Sequence, residues 1–252
     1  MNLPTIDIIK HSTFFKSVDY GENDINNFFV EHINNSDWEE HSFYIFDKYA
    51  DSDKIMIDIG GWIGATPIYC SYHFKEVIAF EIDKVALKRF KSNLQANKDI
   101  NNCNIIEKAI GSFNGKSLLN TKGEFGDSES SICEFDSIKN SVEIDVITFD
   151  TAFKKYIPKH SLIGLIKMDI EGSEKDVIPN MTYWLNEFKP PLYLSLHHHL
   201  MSEKEMKRII DILFNIYSSR KVWNSNSESI EISQNQIIVE KINDCVFSNE
   251  MK

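Results

Sequence analysis

Several glycines, with an acidic residue on either side of them in the sequence, form the stretch best suited to bind a ligand. One apolar run, Ile55 to Ile59, leads into the glycines, and a second, Val77 to Phe80, ends at an acid. Glycine has no Cβ, so the backbone can turn sharply there and lie close to a ligand. The second acid follows at about the spacing of the ribose-binding acid in dinucleotide-binding folds. These residues are Asp58, Gly60, Gly61, Gly64 and Glu81.

The charge beside the glycines indicates which kind of cofactor would bind. The spacing is G-G-x-x-G instead of the G-x-G-x-x-G of dinucleotide sites. The carboxylate of Asp58 would repel a pyrophosphate but attract the ammonium and sulfonium groups of S-adenosylmethionine. An ionised Glu81 can accept hydrogen bonds from two ribose hydroxyls. The alternative that these glycines form a plain glycine-rich turn in another kind of α/β protein stays open. The residues expected to contact the cofactor are Asp58, Gly60, Gly61, Trp62, Gly64, Glu81, Ile82, Lys108 and Ala109.

Composition argues against several functional classes. The chain has 252 residues, 42% of them hydrophobic, which suits one sizeable α/β domain. Its formal net charge is −11, so a general nucleic-acid binder, which needs a basic face, is not expected. No apolar run is long enough for a membrane span, and no secretion signal is recognisable. The scattered cysteines predict free thiols in a reduced, cytoplasmic compartment: Cys70, Cys103, Cys133 and Cys245.

Strands and helices are predicted to alternate along most of the chain. We expect residues 1–50 to form a helical N-terminal extension, ending in a helix at 38–50, and residues 51–252 to form one domain. The alternation implies βαβ units, and hence a Rossmann-like α/β fold whose mostly parallel, seven-stranded sheet has helices on both faces. An insertion with short strands is expected at 110–146. The predicted strands are 55–59, 77–81, 103–107, 162–168, 192–196, two within 221–239 and an antiparallel one at 236–240, and the helices are 65–74, 83–97, 173–186 and 202–217.

Polar residues stand where the predicted strands end. In open α/β sheets, ligands bind outside the carboxyl ends of the strands. Four of these end residues are acidic and the fifth is a histidine: Asp58, Glu81, Glu107, Asp169 and His197. The strands that end at Asp169 and His197 are expected to be neighbours, so their side chains could converge on one substrate group. Ser130 and Ser131 of the insertion could reach adenine or substrate, or lie in an exposed loop.

The sequence resembles the FkbM-type S-adenosylmethionine-dependent methyltransferases. The K-M-D-I-E-G-S-E block is the most specific feature, whereas the glycine turn is common to methyltransferases of this fold. Two departures are visible, at Gly61, where a small residue such as alanine is common, and at Ile82-Asp83, where the family usually has a proline. The matching pieces, in the family's order, are Trp38-Glu39, Ile57 to Gly64, Val77 to Glu81, Asn93 to Asn97, Ala109 to Gly111, Lys167 to Glu174 and Leu194 to His197.

The resemblance implies a class I methyltransferase fold and methyl transfer to an oxygen nucleophile, often a hydroxyl of a sugar, a polysaccharide or a small natural product. The enzyme must align the nucleophile and, for an alcohol, remove its proton. Asp169, Glu171 and His197 are the predicted catalytic residues, with His198 and His199 as alternatives to His197. A neutral imidazole, with an ordinary pKa of about 6.5, is expected to be available as a base. Glu171 can equally cap the helix that follows it.

Metal and partner predictions are more limited. Asp169, Glu171 and His197 could supply oxygen and nitrogen ligands to a divalent metal, but the tight spacing typical of metal ligands is not seen, so no metal site is predicted and metal dependence is left open. The expected partner is a small-molecule or glycan acceptor, not a nucleic acid, and the oligomeric state is left open. Two other functions are considered: a nicotinamide-dependent oxidoreductase, which Asp58 and the glycine spacing disfavour, and a non-catalytic cofactor-binding subunit, which the polar strand ends disfavour.

Overall fold

Strands and helices alternate through most of the chain, as the apolar pattern predicts. The computed structural model describes residues 3–21, 24–121, 123–126, 130–132, 139–159, 161–223 and 228–249. The strands are β1 (Thr5–Lys10), β2 (Thr13–Val18), β3 (Asp51–Ile59), β4 (Phe74–Phe80), β5 (Cys103–Ile106), β6 (Ala109–Gly111), β7 (Gly115–Thr121), β8 (Asn140–Thr148), β9 (Ile163–Met168), β10 (Leu192–Ser195), β11 (Ser219–Trp223), β12 (Ser229–Glu231) and β13 (Asp244–Ser248). The helices are α1 (Ile25–Asn35), α2 (Glu40–Tyr49), α3 (Ala65–Ser71), α4 (Lys84–Ala96), α5 (Phe149–Tyr156), α6 (Glu174–Phe188), α7 (Glu203–Ile216) and α8 (Gln234–Val239).

The main sheet is mixed. Within the described ranges it has eight strands in the order β12-β11-β13-β10-β9-β3-β4-β5. Strands β5, β4, β3, β9 and β10 run parallel, whereas β13 pairs antiparallel with β10 and with β11. The prediction of a seven-stranded sheet is therefore not confirmed, since the described sheet has one strand more. The short strand β12 forms one edge and pairs antiparallel with β11. Because β3 lies between β4 and β9, its carboxyl end is at the centre of the parallel strands.

The final antiparallel strand lies later in the chain than predicted. Residues 236–240 were expected to form it, but Gln234–Val239 is helical. Ser233 and Gln236 form a capping box, in which each side chain bonds the backbone of the other residue. This local signal overrides the β-branched pattern of the segment, and the strand is formed by Asp244–Ser248 instead. Cys133 and most of the predicted turn at 224–229 lie outside the described residues.

The first 50 residues are not all helical, contrary to the prediction. They begin with an antiparallel hairpin of β1 and β2, followed by α1 and α2. The two residues between the strands, His11 and Ser12, lack the Asn-Gly or Gly pattern that normally marks a tight hairpin. His11 adopts a left-handed conformation, with φ 48°, without being glycine. The hairpin therefore carries no clear turn signal in the sequence.

Hydrophobic cores on the two faces of the sheet enclose it between helices. Alternate residues of a strand point to opposite faces, so Ile57 of β3 lies in one core and Met56 in the other. The first core includes buried residues of α5 to α8, and the second includes residues of α1 to α4 and of the hairpin. None of the helices in the described part of the chain is long and apolar enough to cross a membrane.

Two asparagines, one in α4 and one that caps its C-terminus, attach the hairpin to the main domain. Asn93 Oδ1 accepts a hydrogen bond of 2.8 Å from the backbone N–H of Val18, and Asn97 Oδ1 accepts one of 2.7 Å from that of Lys16. Asn93 Nδ2 also donates to the carbonyl of Ile63, within the glycine turn, at 2.9 Å. Because buried polar groups need partners, these side chains fix the hairpin and the turn relative to α4.

The turn after β3 depends on the small size of Gly60. Its φ is 96°, and a Cβ at this position would overlap the backbone carbonyl oxygen of Asp169. The chain can therefore leave β3 only by passing directly against the end of β9. Gly21 provides a comparison, since its φ is 95° but nothing lies within 4 Å of a Cβ placed there.

Gly60→Ala is expected to reduce the free energy of unfolding by more than Gly21→Ala does. Both variants place alanine in a left-handed conformation, which costs about 1–2 kcal/mol, but only Gly60→Ala adds the overlap with Asp169. Urea unfolding of the two variants beside the wild type measures the difference. Equal losses would show that the carbonyl of Asp169 does not lie against Gly60.

Candidate functional site

A cleft with a volume of about 320 Å³ lies at the carboxyl ends of β3, β4, β9 and β10. This is the edge of a parallel sheet where ligands are expected. Most of the residues predicted from the sequence to bind cofactor or substrate line it, but Asp58 and Gly64 do not. Those that line it are Gly60, Gly61, Trp62, Glu81, Ile82, Lys108, Ala109, Asp169, Glu171 and His197.

Glu81 is held rigidly in this cleft. One carboxylate oxygen accepts the backbone N–H of Trp62 at 2.7 Å, and the other accepts those of Ile82 and Asp83 at 2.6 and 2.7 Å. Burial outweighs these three bonds and raises the pKa of Glu81 to about 7. A carboxylate has about four acceptor positions, so acceptor capacity is left for hydroxyl donors of a ligand.

Asp58 lies beneath the cleft instead of lining it. Its side chain is fully buried, and its nearest cation is Lys167, whose Nζ is 3.6 Å from Oδ1. Burial raises the pKa of Asp58 to about 6, against the effect of Lys167. Any attraction of Asp58 for a cationic cofactor therefore acts at a distance, across the buried Asp58 and Lys167 pair, and not by direct contact.

Lys167, which pairs with Asp58, was not among the site residues predicted from the sequence. Its Nζ lies 3.3 Å from Asp169 Oδ2 and donates to the carbonyl of Gly60 at 3.3 Å. Burial opposes its charge, but Asp58 and Asp169 outweigh burial and raise the pKa of Lys167. A signal was available, because Lys167 precedes Asp169 by two positions and so lies on the same side of the strand.

Gly64 serves packing between helices. A Cβ there would overlap the ring of Phe90 in α4, and a Cβ on Gly61 would lie 3.1 Å from the same ring. Gly64 also has a φ of 93°. The absence of a side chain on Gly64 therefore lets Phe90 of α4 pack against the turn. Gly64 thus has a structural role, although the sequence pattern associated it with a ligand.

Two loops around the cleft contain non-glycine residues in the left-handed conformation. Trp62 has φ 45° and Glu171 has φ 51°. The insertion holds both: Trp62 Nε1 donates to the carbonyl of Gly126 at 3.0 Å, and Ser131 Oγ donates to the carbonyl of Glu171 at 2.6 Å. Such conformations are uncommon and concentrate at functional sites. The Ser131 side chain thus holds the backbone of Glu171 in place.

Asp83, which was not among the predicted residues, joins the insertion to α4. One oxygen caps the helix by accepting the N–H groups of Val85 and Ala86. The other accepts the N–H of Gly126 at 2.8 Å and the hydroxyl of Ser130 at 3.0 Å. Ser130, expected to reach adenine or substrate, lines the cleft from this position.

His197 lies among three carboxylates. Its Nε2 is 3.2 Å from Glu171 Oε1 and 3.5 Å from Asp169 Oδ1, and its Nδ1 is 3.1 Å from Glu174 Oε1. Glu174 is fully buried at the start of α6 and also accepts the N–H of Ile170 at 3.0 Å. Structure therefore brings the three predicted catalytic residues together, and Glu174 orients the histidine from behind.

The carboxylates determine the charge of the histidine. Burial opposes protonation, but the hydrogen bonds to Glu171 and Glu174 outweigh it and raise the pKa of His197 to about 11. His197 is then an imidazolium at neutral pH, which does not agree with the expectation of a neutral imidazole available as a base. The remaining groups here that can accept a proton are Asp169 and Glu171.

The same three side chains have the donor atoms of a cation site. One ligand atom from each of Asp169, Glu171 and His197 can be chosen so that all lie within 4.8 Å of one another. Two carboxylate oxygens and an imidazole nitrogen suit a divalent cation such as Mn²⁺. The sequence predicted no metal, and the absence of a metal stays a prediction.

The other histidines of the segment are in different positions. His198 Nε2 bonds to the carbonyl of Ile242 at 2.9 Å, and His199 lines the cleft outside the carboxylate cluster. Aromatic rings form a further part of the wall: Phe29 packs on Trp62 with ring centroids 4.4 Å apart, and Trp38 lies 6.4 Å from Trp62. The N-terminal extension therefore contributes directly to the cleft.

Comparison with known sequences identifies the protein family. A sequence model described as the methyltransferase FkbM domain matches residues 58–236, which is most of the chain. The protein belongs to the FkbM methyltransferase family, whose members are S-adenosylmethionine-dependent. No curated protein matches the sequence significantly.

Three solved structures that match this chain are described as methyltransferases or as a methylase. The methyltransferase FkbM from Methylobacillus flagellatus is 19% identical with a TM-score of 0.49, and the match covers 78% of this chain but 44% of that one. This chain therefore spans less than half of that relative. An rRNA methylase from Streptococcus thermophilus is 10% identical with a TM-score of 0.46, covering 84% of this chain and 95% of that one. SMU.1697c from Streptococcus mutans, solved with SAH, is 12% identical with a TM-score of 0.46, covering 83% and 95%.

His197→Gln is expected to lower the free energy of unfolding at pH 6 by about 1.5–3 kcal/mol, as for other hydrogen bonds to charged groups. Because the folded pKa is raised, the stabilisation is fully present below the unfolded pKa of about 6.5 and is lost as the pH rises toward 11. Urea unfolding at pH 6, 8 and 10 measures the trend. His199→Gln is the matched control for removing an imidazole from the cleft, and a difference for His197→Gln that does not shrink with pH would contradict the charged state.

Proposed function

We propose that the protein transfers the methyl group of S-adenosylmethionine to a hydroxyl oxygen of a sugar, a glycan or a small natural product. The observation that supports this most is the arrangement of the cleft: the glycine turn and Glu81 form one part of it, and the Asp169, Glu171 and His197 cluster forms another. A donor and an acceptor could therefore meet in one cleft, as an in-line displacement requires.

The donor is assigned to the turn after β3. The ribose hydroxyls would donate to Glu81, whose position is fixed by three backbone N–H groups. Adenine would lie beside Ile82 and the backbone of Lys108 and Ala109, which follow the neighbouring strands β4 and β5. The sulfonium would lie over Gly60 and Gly61, where the absence of side chains leaves room for it.

The acceptor hydroxyl is assigned to the carboxylate cluster. As the oxygen–carbon bond forms and the sulfur–carbon bond breaks, the hydroxyl proton passes to a carboxylate oxygen of Asp169, or of Glu171. His197, as an imidazolium, would keep both carboxylates ionised and in position, and Lys167 would do the same for Asp169 from below. The reaction then leaves S-adenosylhomocysteine, the methyl ether and a protonated carboxylate.

The charge and shape of the cleft support an uncharged acceptor. Its wall contains the carboxylates of Glu39, Asp169, Glu171 and Asp244, which would repel phosphorylated compounds and nucleic acid. The ring of Trp38, on the same wall, offers an apolar face to the C–H side of a sugar ring. These features favour hydroxylated, non-phosphorylated molecules.

The test is S-adenosylhomocysteine formation with a panel of neutral sugars, glycans and hydroxylated natural products, beside their phosphorylated counterparts and amines. Turnover with hydroxyl acceptors, and methyl ethers as products, is expected. Methylation of amines alone would overturn the assignment to oxygen. Calorimetric binding of a nicotinamide cofactor in place of S-adenosylmethionine would overturn the donor.

Asp169→Asn is expected to reduce kcat about 10²- to 10⁴-fold, the usual contribution of a general base, while S-adenosylhomocysteine still binds. Asp176→Asn, which removes an exposed carboxylate from the first turn of α6, is the matched control and should retain activity. Kinetics with the best acceptor and calorimetry with S-adenosylhomocysteine give the two quantities. Unchanged kcat for Asp169→Asn would remove Asp169 from the chemistry.

A further inference from the structure

Glu39 is a carboxylate in the cleft whose local structure does not use its charge. It precedes α2 and has the left-handed conformation, with φ 44°, which is uncommon for a residue with a side chain. Residues at this position of a helix usually cap its first N–H groups, but the Glu39 side chain makes no such bond. It accepts the hydroxyl of Ser42 at 3.2 Å and lines the cleft.

The surroundings of Glu39 have more negative than positive charge. Asp169 and Asp244 face it, and the cations nearby are already paired: Lys167 with Asp58 and Asp169, and His41 with Asp244 at 3.4 Å. Among the ion pairs of the described residues, none includes Glu39. Burial, together with the charge of Asp169, raises the pKa of Glu39 to about 7. A cation brought by a ligand would remove this imbalance.

Strand order indicates which part of the donor would reach Glu39. Glu81 follows β4, on one side of β3, whereas Asp169 follows β9, on the other side. The two strands are separated by two sheet spacings, about 10 Å. A donor whose ribose is at Glu81 and whose sulfur lies over the turn after β3 would extend its methionine chain toward β9, where Glu39 lies.

We infer that Glu39 binds the α-ammonium group of the methyl donor. The inference rests on the proposed function, because it takes the ribose to be at Glu81. The ammonium has three N–H donors and Glu39 has free acceptor positions, and the charge-assisted hydrogen bonds between them are among the strong ones in proteins. Glu39 therefore selects donors that have the complete amino acid group.

The test compares two ligands that differ in the amino acid group. S-adenosylhomocysteine has it, and 5′-methylthioadenosine keeps the nucleoside and the sulfur but lacks it. Calorimetry should show that Glu39→Gln weakens S-adenosylhomocysteine binding about 10- to 100-fold and leaves 5′-methylthioadenosine binding unchanged. Unchanged binding of 5′-methylthioadenosine would also show that the variant is folded.

Asp37→Asn is the matched control. It removes a carboxylate two residues earlier, one that is exposed and bonded to His32 outside this cleft, so both affinities should equal those of the wild type. Glu39→Gln with wild-type affinity for S-adenosylhomocysteine would overturn the inference and leave the proposed function standing, as would equal losses for both ligands. A wild type that binds neither ligand would overturn the proposed function as well.

Discussion

A buried lysine between acidic groups is the interaction on which the site depends. Lys167 is 4% exposed and bridges Asp58 at the end of β3 and Asp169 at the end of β9, while donating to the carbonyl of Gly60. An unpaired buried charge would be strongly destabilising, so these groups require one another. The bridge fixes the base of the cleft, and the residues that would contact donor and acceptor are built on it.

The walls of the cleft come from parts of the chain far apart in sequence. The N-terminal extension contributes Trp38 and Glu39. The insertion holds the indole of Trp62 through the carbonyl of Gly126 and the backbone of Glu171 through the Ser131 side chain. These backbone conformations are unfavourable for isolated residues. They persist because hydrogen bonds from other segments hold them, which places rigid, unusual turns where a ligand would need close contacts.

Local patterns predicted much of the architecture. Outside the insertion, most strands and helices from β3 to α7 follow from apolar runs and caps, and their bounds differ from the predictions by a few residues, but helix α5 was not predicted. The predicted helix at 38–50 is α2. Prediction failed where a local signal was weak or misleading: the hairpin turn at His11 and Ser12 lacks glycine, and Ile237 and Ile238 resemble a strand although Ser233 caps a helix.

The sequence by itself determined the family, the succession of strands and helices along the chain, and the residue types at the carboxyl ends of the parallel strands. It did so because periodicity, glycine turns and strand-end charges are local properties. Only the tertiary structure decided what those residues do. Asp58 is covered by Lys167, Gly64 accommodates Phe90, and His197 is charged because Glu174 and Glu171 meet it. Burial and electrostatic pairing depend on distances between segments, and the spacing of residues along the chain does not determine those distances.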